Sequence, residues 1–427
     1  MATTRLTKTL GTPTDNKKWT WSAWIKRSKS FNVVQRIFYA INGSNYTTLQ
    51  FDDESNLIWF NEISGVGTDM QLKTNQIFKD AGAWYHIVIA YDSANSTAAN
   101  RQIIYINGVR VTSFATQNTA GTNANTAINQ AVPHTVGSSD GGGNYFEGLM
   151  SYTAFVDGTA YPATSFGEVN AASGIWKINT APSVTYGNNG FFLKMDTTSP
   201  GSDTSGNDNT FTAAGTPTLA QDNASNILVT LNPLLDVNAV PTFSNGNTTI
   251  VGSSSGGARL SGSSISVGTG KWYYEIKTTV DGSQPYIGVI DAQSNIRRNS
   301  SYFVAATSGS NDSGYAVNMS GDIYYNNSST YASNIGSIST GNILGFAVDL
   351  TSTQKTCTIY KNGTSMRTFN LANPSSDNYM LGVCSISNST SAKCEVNFGN
   401  GKFGTTAVSS AGTNASGNGI FEYDVPT

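Results

Sequence analysis

The stretch "RQIIYINGVRVTSF", Arg101 to Phe114, decides how the first half of this chain folds. In it, alternating β-branched and aromatic residues flank an Asn-Gly pair, which accepts the positive φ angles of a type I′ turn. We therefore predict a tight β-hairpin. The pattern returns in "TCTIYKNGTSMRTF", Thr356 to Phe369, which predicts a second hairpin. We expect each hairpin to belong to a β-sandwich of its own.

The composition favours an all-β protein with more than one domain. The chain has 427 residues, which is too long for one ordinary core. Only 12% of the residues are charged, 11% are aromatic and 43 are glycine, which is typical of turn-rich β architecture and not of disorder. A net charge of −3 gives no general attraction to nucleic acid or acidic membranes. No apolar stretch is long enough to span a membrane, and the first residues lack an apolar segment, so we expect no secretory signal.

Short strand-like segments separated by Asn, Gly and Ser fill the first half, which predicts a sandwich. The first of them is "WTWSAWIKRS", Trp19 to Ser28. Trp19, Trp21 and Ile25 follow a period of two in it. Trp24 falls on the other phase, so we expect a bulge or a twist in this strand.

Four segments of the first half resemble, in their order, the laminin-G or pentraxin-like group of concanavalin-type sandwiches. They are an aromatic strand ending in Lys-Arg, a Trp-containing strand with a His, a Tyr-x-Asn-Gly hairpin and a late Phe-x-Gly strand. The resemblance covers residues 1–165. The segments are "WTWSAWIKRS" (19–28), "AGAWYHIVIAYDS" (81–93), "IIYINGVRV" (103–111) and "NYFEGLMSYTAFVDGTAY" (144–161).

The second half resembles a SPRY domain, which is another β-sandwich. Seven pieces occur in the expected order over about 140 residues. The chain is thus predicted to be two jelly-roll-type β-sandwiches in tandem, residues 1–215 with a bridge and residues 216–427. The matching pieces are Trp272 to Glu275, Gly288, Gly314-Tyr315, Gly345 with Asp349, Tyr360 to Gly363, Val396 to Gly399, and Phe403.

The bridge after the first sandwich carries a separate resemblance. We expect a short strand from Phe191 to complete the first sandwich. The segment "DTSGNDNTFT", Asp203 to Thr212, is similar to a signature of structural proteins of tailed phages. The resemblance implies a virion protein made in the host cytoplasm, and further residues after Thr427.

The sequence offers no catalytic constellation that we would choose. Asp52 and Glu54 have the spacing that places two carboxylates on one face of a strand, but they precede a turn and lack flanking apolar alternation. His86 and His134 are the two histidines, and both are expected to pack in the structure. We predict no enzyme. The three cysteines are expected to be small core residues on neighbouring strands: Cys357, Cys384 and Cys394.

Two loops carry residue types that bind Ca²⁺. Many domains of the resembled group hold this ion with loop oxygens, and Ca²⁺ takes six to eight of them. Asp and Asn are also good turn formers, and we weigh that interpretation more heavily. We predict no metal and no cofactor. The loop residues are Asp140, Asn144 and Glu147 in one segment, and Asp203, Asn207 and Asp208 in the other.

With catalysis and metal binding disfavoured, we expect the protein to bind a ligand through its loops. Sandwich folds present variable loops, and sugars are bound by aromatic faces with amide and hydroxyl groups. Tyr324 and Tyr325 are adjacent in a strand, so at most one of them can face the core. The candidate ligand-binding residues are Asn144, Tyr145, Arg297, Arg298, Tyr302 and Tyr324.

The expected function is that of a non-enzymatic virion-surface protein of a tailed phage. Its place is predicted to be on the tail or a fibre, where it contributes to adsorption by recognising a host glycan or surface. Two alternatives stay open: a capsid decoration or connector protein, and a bacterial surface glycan-binding protein. A glycan hydrolase is least favoured. The expected partners are other virion proteins, a host surface glycan and further copies of the chain, with a trimer as the first expectation.

Overall fold

The structure is a computed structural model, and it describes residues 4–28, 31–197, 199–235, 241–252, 259–282, 285–292, 314–325, 328–332, 334–371, 378–386, 389–410, 417 and 419–426. The chain divides into two compact units, Met1–Ile227 and Leu228–Thr427. The helices of the described residues are two single turns of 3₁₀ helix, Ala98–Asn100 and Ala163–Ser165. The predicted all-β fold class is confirmed.

The described strands of the first unit form two large antiparallel sheets and one small hairpin. The larger sheet has the order β10-β6-β5-β4-β3-β11-β1-β16, the smaller has the order β15-β12-β2-β7-β8-β9, and β13 pairs with β14. The strands are β1 (Arg5–Thr9), β2 (Lys18–Arg27), β3 (Gln35–Asn42), β4 (Asn45–Phe51), β5 (Asn56–Ile63), β6 (Gly67–Ile77), β7 (Trp84–Asp92), β8 (Gln102–Ile106), β9 (Val109–Arg110), β10 (Phe114–Asn118), β11 (Pro133–Val136), β12 (Gly148–Asp157), β13 (Gly167–Val169), β14 (Trp176–Ile178), β15 (Phe191–Leu193) and β16 (Thr212–Ala214).

The core of the first unit lies between the two large sheets. Trp19, Trp21 and Ile25 of β2 all point into it, and β2 pairs with β7 without a register break. No register shift occurs between β2 and β7, so the expected bulge is absent from that pairing. Trp24 points away from this core, as alternation along a strand requires. It is still buried, because the other face of β2 is covered by a second apolar cluster. The register shift that does occur lies on the β12 side, between Ser151 and Ala154.

A buried ion pair ties the segment after β16 to the smaller sheet. Lys26 Nζ lies 2.8 Å from Asp222 Oδ2, and the two side chains are only 2% and 6% exposed. Trp84 Nε1 donates to the other oxygen of Asp222 at 3.0 Å. The first unit extends to Ile227 and so includes this ion pair.

Both Asn-Gly hairpins are present with the expected backbone. Asn107 and Gly108 have φ angles of 49° and 81°, and Asn362 and Gly363 have 48° and 79°. Positive φ at both central residues is what a type I′ turn needs. The hairpins close the edges of two different sheets, at β9 in the first unit and at β28 (Thr364–Asn370) in the second.

The second unit also contains two large sheets and a small hairpin within its described residues. One sheet has the order β17-β18-β30-β21-β26-β27-β28, the other has the order β19-β29-β22-β23-β24-β25 with β20 beside β29, and β31 pairs with β32. The strands are β17 (Thr242–Ser244), β18 (Thr249–Val251), β19 (Arg259–Ser261), β20 (Ser266–Val267), β21 (Lys271–Thr279), β22 (Tyr286–Asp291), β23 (Gly314–Val317), β24 (Ile323–Tyr325), β25 (Ser328–Ala332), β26 (Ile343–Asp349), β27 (Thr356–Lys361), β28 (Thr364–Asn370), β29 (Tyr379–Ile386), β30 (Lys393–Asn397), β31 (Lys402–Phe403) and β32 (Thr406–Ala407).

The three cysteines lie in the core of the second unit as free, buried thiols, as predicted. Their expected location on neighbouring strands is wrong. Cys384 is on β29 of one sheet, whereas Cys357 and Cys394 are on β27 and β30 of the other, with two strands between them. A sandwich brings side chains of both sheets into one core, so sequence distance does not report strand adjacency here.

The carboxylate of Glu275 fastens the C-terminal segment to β21. It accepts hydrogen bonds from the backbone amides of Glu422 at 2.8 Å and of Tyr423 at 3.0 Å. Asn397 Nδ2 and the Tyr273 hydroxyl complete its contacts at 3.3 and 3.2 Å. Burial raises the pKa of Glu275, and these donors oppose that rise.

We expect Asp222→Asn to destabilise the first unit by on the order of 3 kcal/mol, because it leaves the Lys26 ammonium buried without its counter-charge. Urea unfolding followed by tryptophan fluorescence measures this, since six of the seven tryptophans precede residue 228. Asp208→Asn, at an exposed loop position, is the matched control and should leave stability within about 0.5 kcal/mol. Equal stability of both variants would contradict the proposed role of the ion pair.

Candidate functional site

The outer face of the larger sheet in the first unit is the strongest candidate for a binding surface. Directly opposite residues of paired strands share a face, and alternate residues face opposite ways. Phe38 and Leu49 point into the core, so Tyr39 and its partner Thr48 point outward. The same register gives the members of this outer row: Thr7, Thr135, Tyr39, Thr48, Phe60 and Gln71.

An arginine lies along this face over two tyrosine rings. The guanidinium carbon of Arg36 is 4.6 Å from the ring centre of Tyr39 and 5.2 Å from that of Tyr46. The two tyrosine rings are 5.5 Å apart, and Tyr46 meets the edge of Phe60 at 5.7 Å. Arg36 Nε also reaches the amide oxygen of Gln50 at 3.4 Å. We call these five residues the Arg36 face.

The predicted residues Asn144 and Tyr145 lie at the edge of the Arg36 face. The backbone amide of Arg36 donates to the carbonyl of Asn144 at 2.8 Å. The hydroxyl of Tyr145 accepts from Arg5 Nη1 at 3.2 Å. Arg5 precedes the core residue Leu6 on β1, so it faces outward as well. The loop at 142–145 therefore lies between two outward-facing arginines.

Two polar atoms beneath this surface lack a hydrogen-bond partner among the described residues, Thr135 Oγ1 and Arg5 Nε. Both atoms are shielded from solvent, so they are not accessible ligand contacts. Burial is also the largest reason why the pKa of Tyr39 is raised, with the Arg36 charge opposing it and Asp140 adding to it.

The Arg36 face combines aromatic rings, an amide and a guanidinium on a rigid sheet. Arg36, Tyr46 and Phe60 are partly exposed, whereas Tyr39 and Gln50 are buried beneath them. Rings offer flat apolar surfaces, and the guanidinium and amide offer directional donors. This set suits a ligand with an apolar face and many hydroxyl groups, and it contains no nucleophile or acid-base pair.

The second group of predicted site residues is only partly described. Arg297, Arg298 and Tyr302 lie outside the described residues. Tyr324 contacts the edge of Tyr286 at 5.7 Å, and its hydroxyl accepts from Asn318 Nδ2 at 3.3 Å.

Tyr325 has the opposite orientation. It stacks on the core residue Tyr315 at 4.7 Å. One tyrosine of the adjacent pair thus packs on the core and the other faces away from it, as the sequence predicted. The described residues around Tyr324 provide an aromatic pair and an amide, but no cation.

Sequence reasoning missed the main members of the Arg36 face. "RIFYAINGSNYTTLQF", Arg36 to Phe51, places Arg36, Tyr39 and Tyr46 within one hairpin, which is a usable signal. A bulge between Arg36 and Phe38 interrupts the alternation, so the shared face of Arg36 and Tyr39 is not evident from a period of two. Arg5 could not be found this way, because it reaches the site through long-range pairing.

Three of the acidic residues considered for catalysis or Ca²⁺ have structural contacts, namely Asp52, Glu54 and Asp203. Asp52 Oδ1 accepts from the amides of Glu54 and Asn56, and Lys73 bridges both carboxylates of this turn. Asp203 accepts four hydrogen bonds, from Phe192 N, Ser205 N, Ser205 Oγ and Asn209 N. Within the described part of the chain, no group of three or more His, Cys, Asp or Glu residues is arranged to hold a metal.

His86 is a packing residue, as the sequence analysis expected. Its ring stacks between Trp24 at 4.8 Å and Trp176 at 5.9 Å. Trp176 Nε1 donates to Nδ1 at 3.0 Å, so the ring proton lies on Nε2 and is donated to Ser22 Oγ at 2.9 Å. His86 also lines a small pocket with Trp24, Tyr152 and Phe166, but both of its ring nitrogens are already hydrogen-bonded.

His134 is similarly buried and paired. Its Nδ1–H donates to the Val132 carbonyl at 2.8 Å, and its Nε2 accepts from the Asn129 amide at 3.1 Å. Burial lowers the pKa of His86 to about 3 and that of His134 to about 4. Both rings are buried and all four ring nitrogens are hydrogen-bonded, so neither histidine can act as a base on a ligand that comes from solvent.

These depressed pKa values predict that the first unit loses stability in mild acid. Below the unfolded pKa of about 6.5, the unfolded chain takes up protons that the folded rings do not. The loss should reach about 2 kcal/mol per histidine at pH 5 relative to neutral pH. Urea unfolding at pH 7, 6 and 5 tests this. The variant His86→Gln should show roughly half of the two-histidine dependence, and an unchanged slope would contradict the assignment.

Within the described residues, no helix has the length and apolar character to cross a membrane. Residues 3–163 match the family profile described as the concanavalin A-like lectin/glucanases superfamily. No curated protein sequence gives a significant match.

Three solved structures illustrate the similarity in fold. The mouse laminin α1 chain, domains LG4-5, is 10% identical, with 100% of this chain and 92% of that chain covered and a TM-score of 0.29. The SPRY domain of human HERC1 is 16% identical, with 39% and 96% covered and a TM-score of 0.31. A putative carbohydrate binding protein from Bacteroides ovatus is 14% identical, with 50% and 59% covered and a TM-score of 0.32.

These identities and TM-scores carry no conclusion about a ligand. Over residues 3–163 the chain is similar to the concanavalin A-like lectin/glucanases superfamily, and SPRY domains are among the solved structures that it resembles.

Proposed function

We propose that this protein is a non-catalytic recognition protein whose first unit binds a glycan on the Arg36 face. The observation that carries the proposal is the Arg36 guanidinium over the rings of Tyr39 and Tyr46, beside the amide of Gln50. Sugars present apolar C–H faces and hydroxyl groups, which match rings and directional donors of this kind. The superfamily that residues 3–163 match includes lectins, and this supports the same ligand class.

The arrangement of carboxylates favours binding over hydrolysis. Glycoside hydrolysis requires two carboxyl groups that flank the scissile bond. On the outer face, Glu62 is directly opposite Tyr46 and accepts from Thr68. Asp52 and Glu54 are engaged by Lys73 at a turn. These contacts use the carboxylates to stabilise the sheet and its turn.

A location on a tailed-phage virion, where the protein contributes to host adsorption, is the finer part of the proposal. It rests on the resemblance of the Asp203–Thr212 segment to phage structural proteins. Multiple copies on a particle would raise a weak single-site affinity by a factor of about 10²–10⁴. A capsid decoration role and a bacterial surface glycan-binding role are the alternatives that remain.

Tyr46→Ala should weaken glycan binding roughly tenfold or more, because it removes the most exposed tyrosine ring of the Arg36 face. Tyr46→Phe keeps the ring and should retain most of the affinity. A glycan array with the full chain identifies ligands, and calorimetry compares the variants. The proposal is overturned if the array shows no ligand, or if Tyr46→Ala binds as well as the unchanged chain.

Immunogold electron microscopy tests the virion placement. Antibody to the purified chain is applied to the virion preparations that contain it, with the same preparations without antibody as control. Label on tails or fibres is expected. Label spread over the capsid would favour the decoration role. If no particle is labelled, the virion placement is overturned, and glycan recognition is then judged by the glycan array alone.

A further inference from the structure

Arg5 and Arg36 both contact the 142–145 loop, and neither has a carboxylate partner among the described residues. Some described lysines of this unit have such partners, including Lys26 with Asp222, Lys73 with Asp52, and Lys177 with Glu168, whereas Arg110 contacts an amide and a carbonyl oxygen instead. No ion pair of Arg5 or Arg36 is found in the described part of the chain.

The two arginines are close enough to act on one ligand. Their strands, β1 and β3, are separated only by β11, which places the backbones about 10 Å apart. Both contact the 142–145 loop: Arg36 through the Asn144 carbonyl and Arg5 through the Tyr145 hydroxyl. A Cβ on Gly142 would lie 2.9 Å from Arg5 Nη1 and 2.3 Å from the Tyr145 hydroxyl. Glycine at this position therefore leaves space for the arginine to approach the loop.

We propose that Arg36 and Arg5 select an acidic saccharide, by binding a carboxylate or sulfate group of the glycan at the edge of the Arg36 face. This inference rests on the proposed function and names its ligand class. Guanidinium groups bind carboxylate and sulfate oxygens through paired N–H donors, and such charge-assisted bonds are about twice as strong as neutral ones.

Nearby carboxylates repel an anionic ligand group and so limit where on the Arg36 face it can bind. Glu62 lies opposite Tyr46, and its carboxylate is hydrogen-bonded to Thr68. Asp140 is exposed and raises the pKa of Tyr39 through its charge. The anion is therefore placed on the Arg5 side of the face, away from Glu62, with Asp140 as an opposing charge that limits affinity.

The test is an array of matched oligosaccharide pairs with the full chain. Alginate, polygalacturonate, hyaluronan and chondroitin sulfate fragments are each placed beside the carboxyl-reduced or desulfated form. We expect the acidic member of at least one pair to bind tenfold or more tightly, and this preference to shrink as salt is raised. Equal binding of both members would overturn the inference while leaving the proposed function intact. No binding to any oligosaccharide would overturn both.

Variants then assign the preference to the two arginines. Arg36→Gln should reduce affinity for the acidic member roughly ten- to hundredfold and leave the neutral member within about threefold. Arg5→Gln, on another strand, is the second variant and should act in the same direction. Asp140→Asn should tighten acidic binding.

Arg110→Gln is the matched control. Arg110 is exposed at β9 of the other sheet, where it contacts Asn100 and Ala99, so its loss should change nothing. Thermal unfolding confirms that each variant is folded. Unchanged preference in both folded Arg36→Gln and Arg5→Gln would overturn the assignment.

Discussion

The first unit depends on strand β2 being buried on both faces. One face supplies the tryptophans of the sandwich core, and the other supplies Trp24 and Lys26 to a second apolar layer. An ammonium group in such a place is costly unless a counter-charge is provided. Asp222 provides it from nearly 200 residues further along the chain, at 2.8 Å. The chain beyond the last strand of the sandwich is therefore part of the folded unit.

Carboxylates saturated with donors fix the loops in both units. Asp157 accepts from the amides of Thr14, Asp15 and Asn189 and from the side chain of Asn129, which gathers three separate loops at the end of β12. Asp203 closes its own loop in the same manner, and Glu275 holds the C-terminal segment. In each case hydrogen bonds to the charged form offset the cost of removing a carboxylate from water. These residues organise the backbone and leave no lone pairs for a metal ion.

The Arg36 face differs from these saturated sites in its chemistry. Its guanidinium lies over aromatic rings and has no carboxylate partner among the described residues. The rings are held by contact with one another and by the sheet beneath them, so the surface is preorganised and little ordering would accompany binding. Preorganisation combined with unused donors is what distinguishes this surface from the cleft beside His86, whose ring nitrogens are both engaged.

The sequence by itself determined the all-β class, the two Asn-Gly hairpins and the packing role of the two histidines. These features depend on local alternation, on turn residues that accept positive φ, and on composition, all of which can be read from neighbouring positions. Asn144 and Tyr145 were named from the sequence as candidate residues, and only the structure shows their contacts with Arg36 and Arg5. The ion pair of Lys26 with Asp222 and the outward cluster of Arg5, Arg36 and Tyr46 were decided only by the tertiary structure. They arise from long-range strand pairing and from a β-bulge, and neither leaves a periodic trace in the sequence.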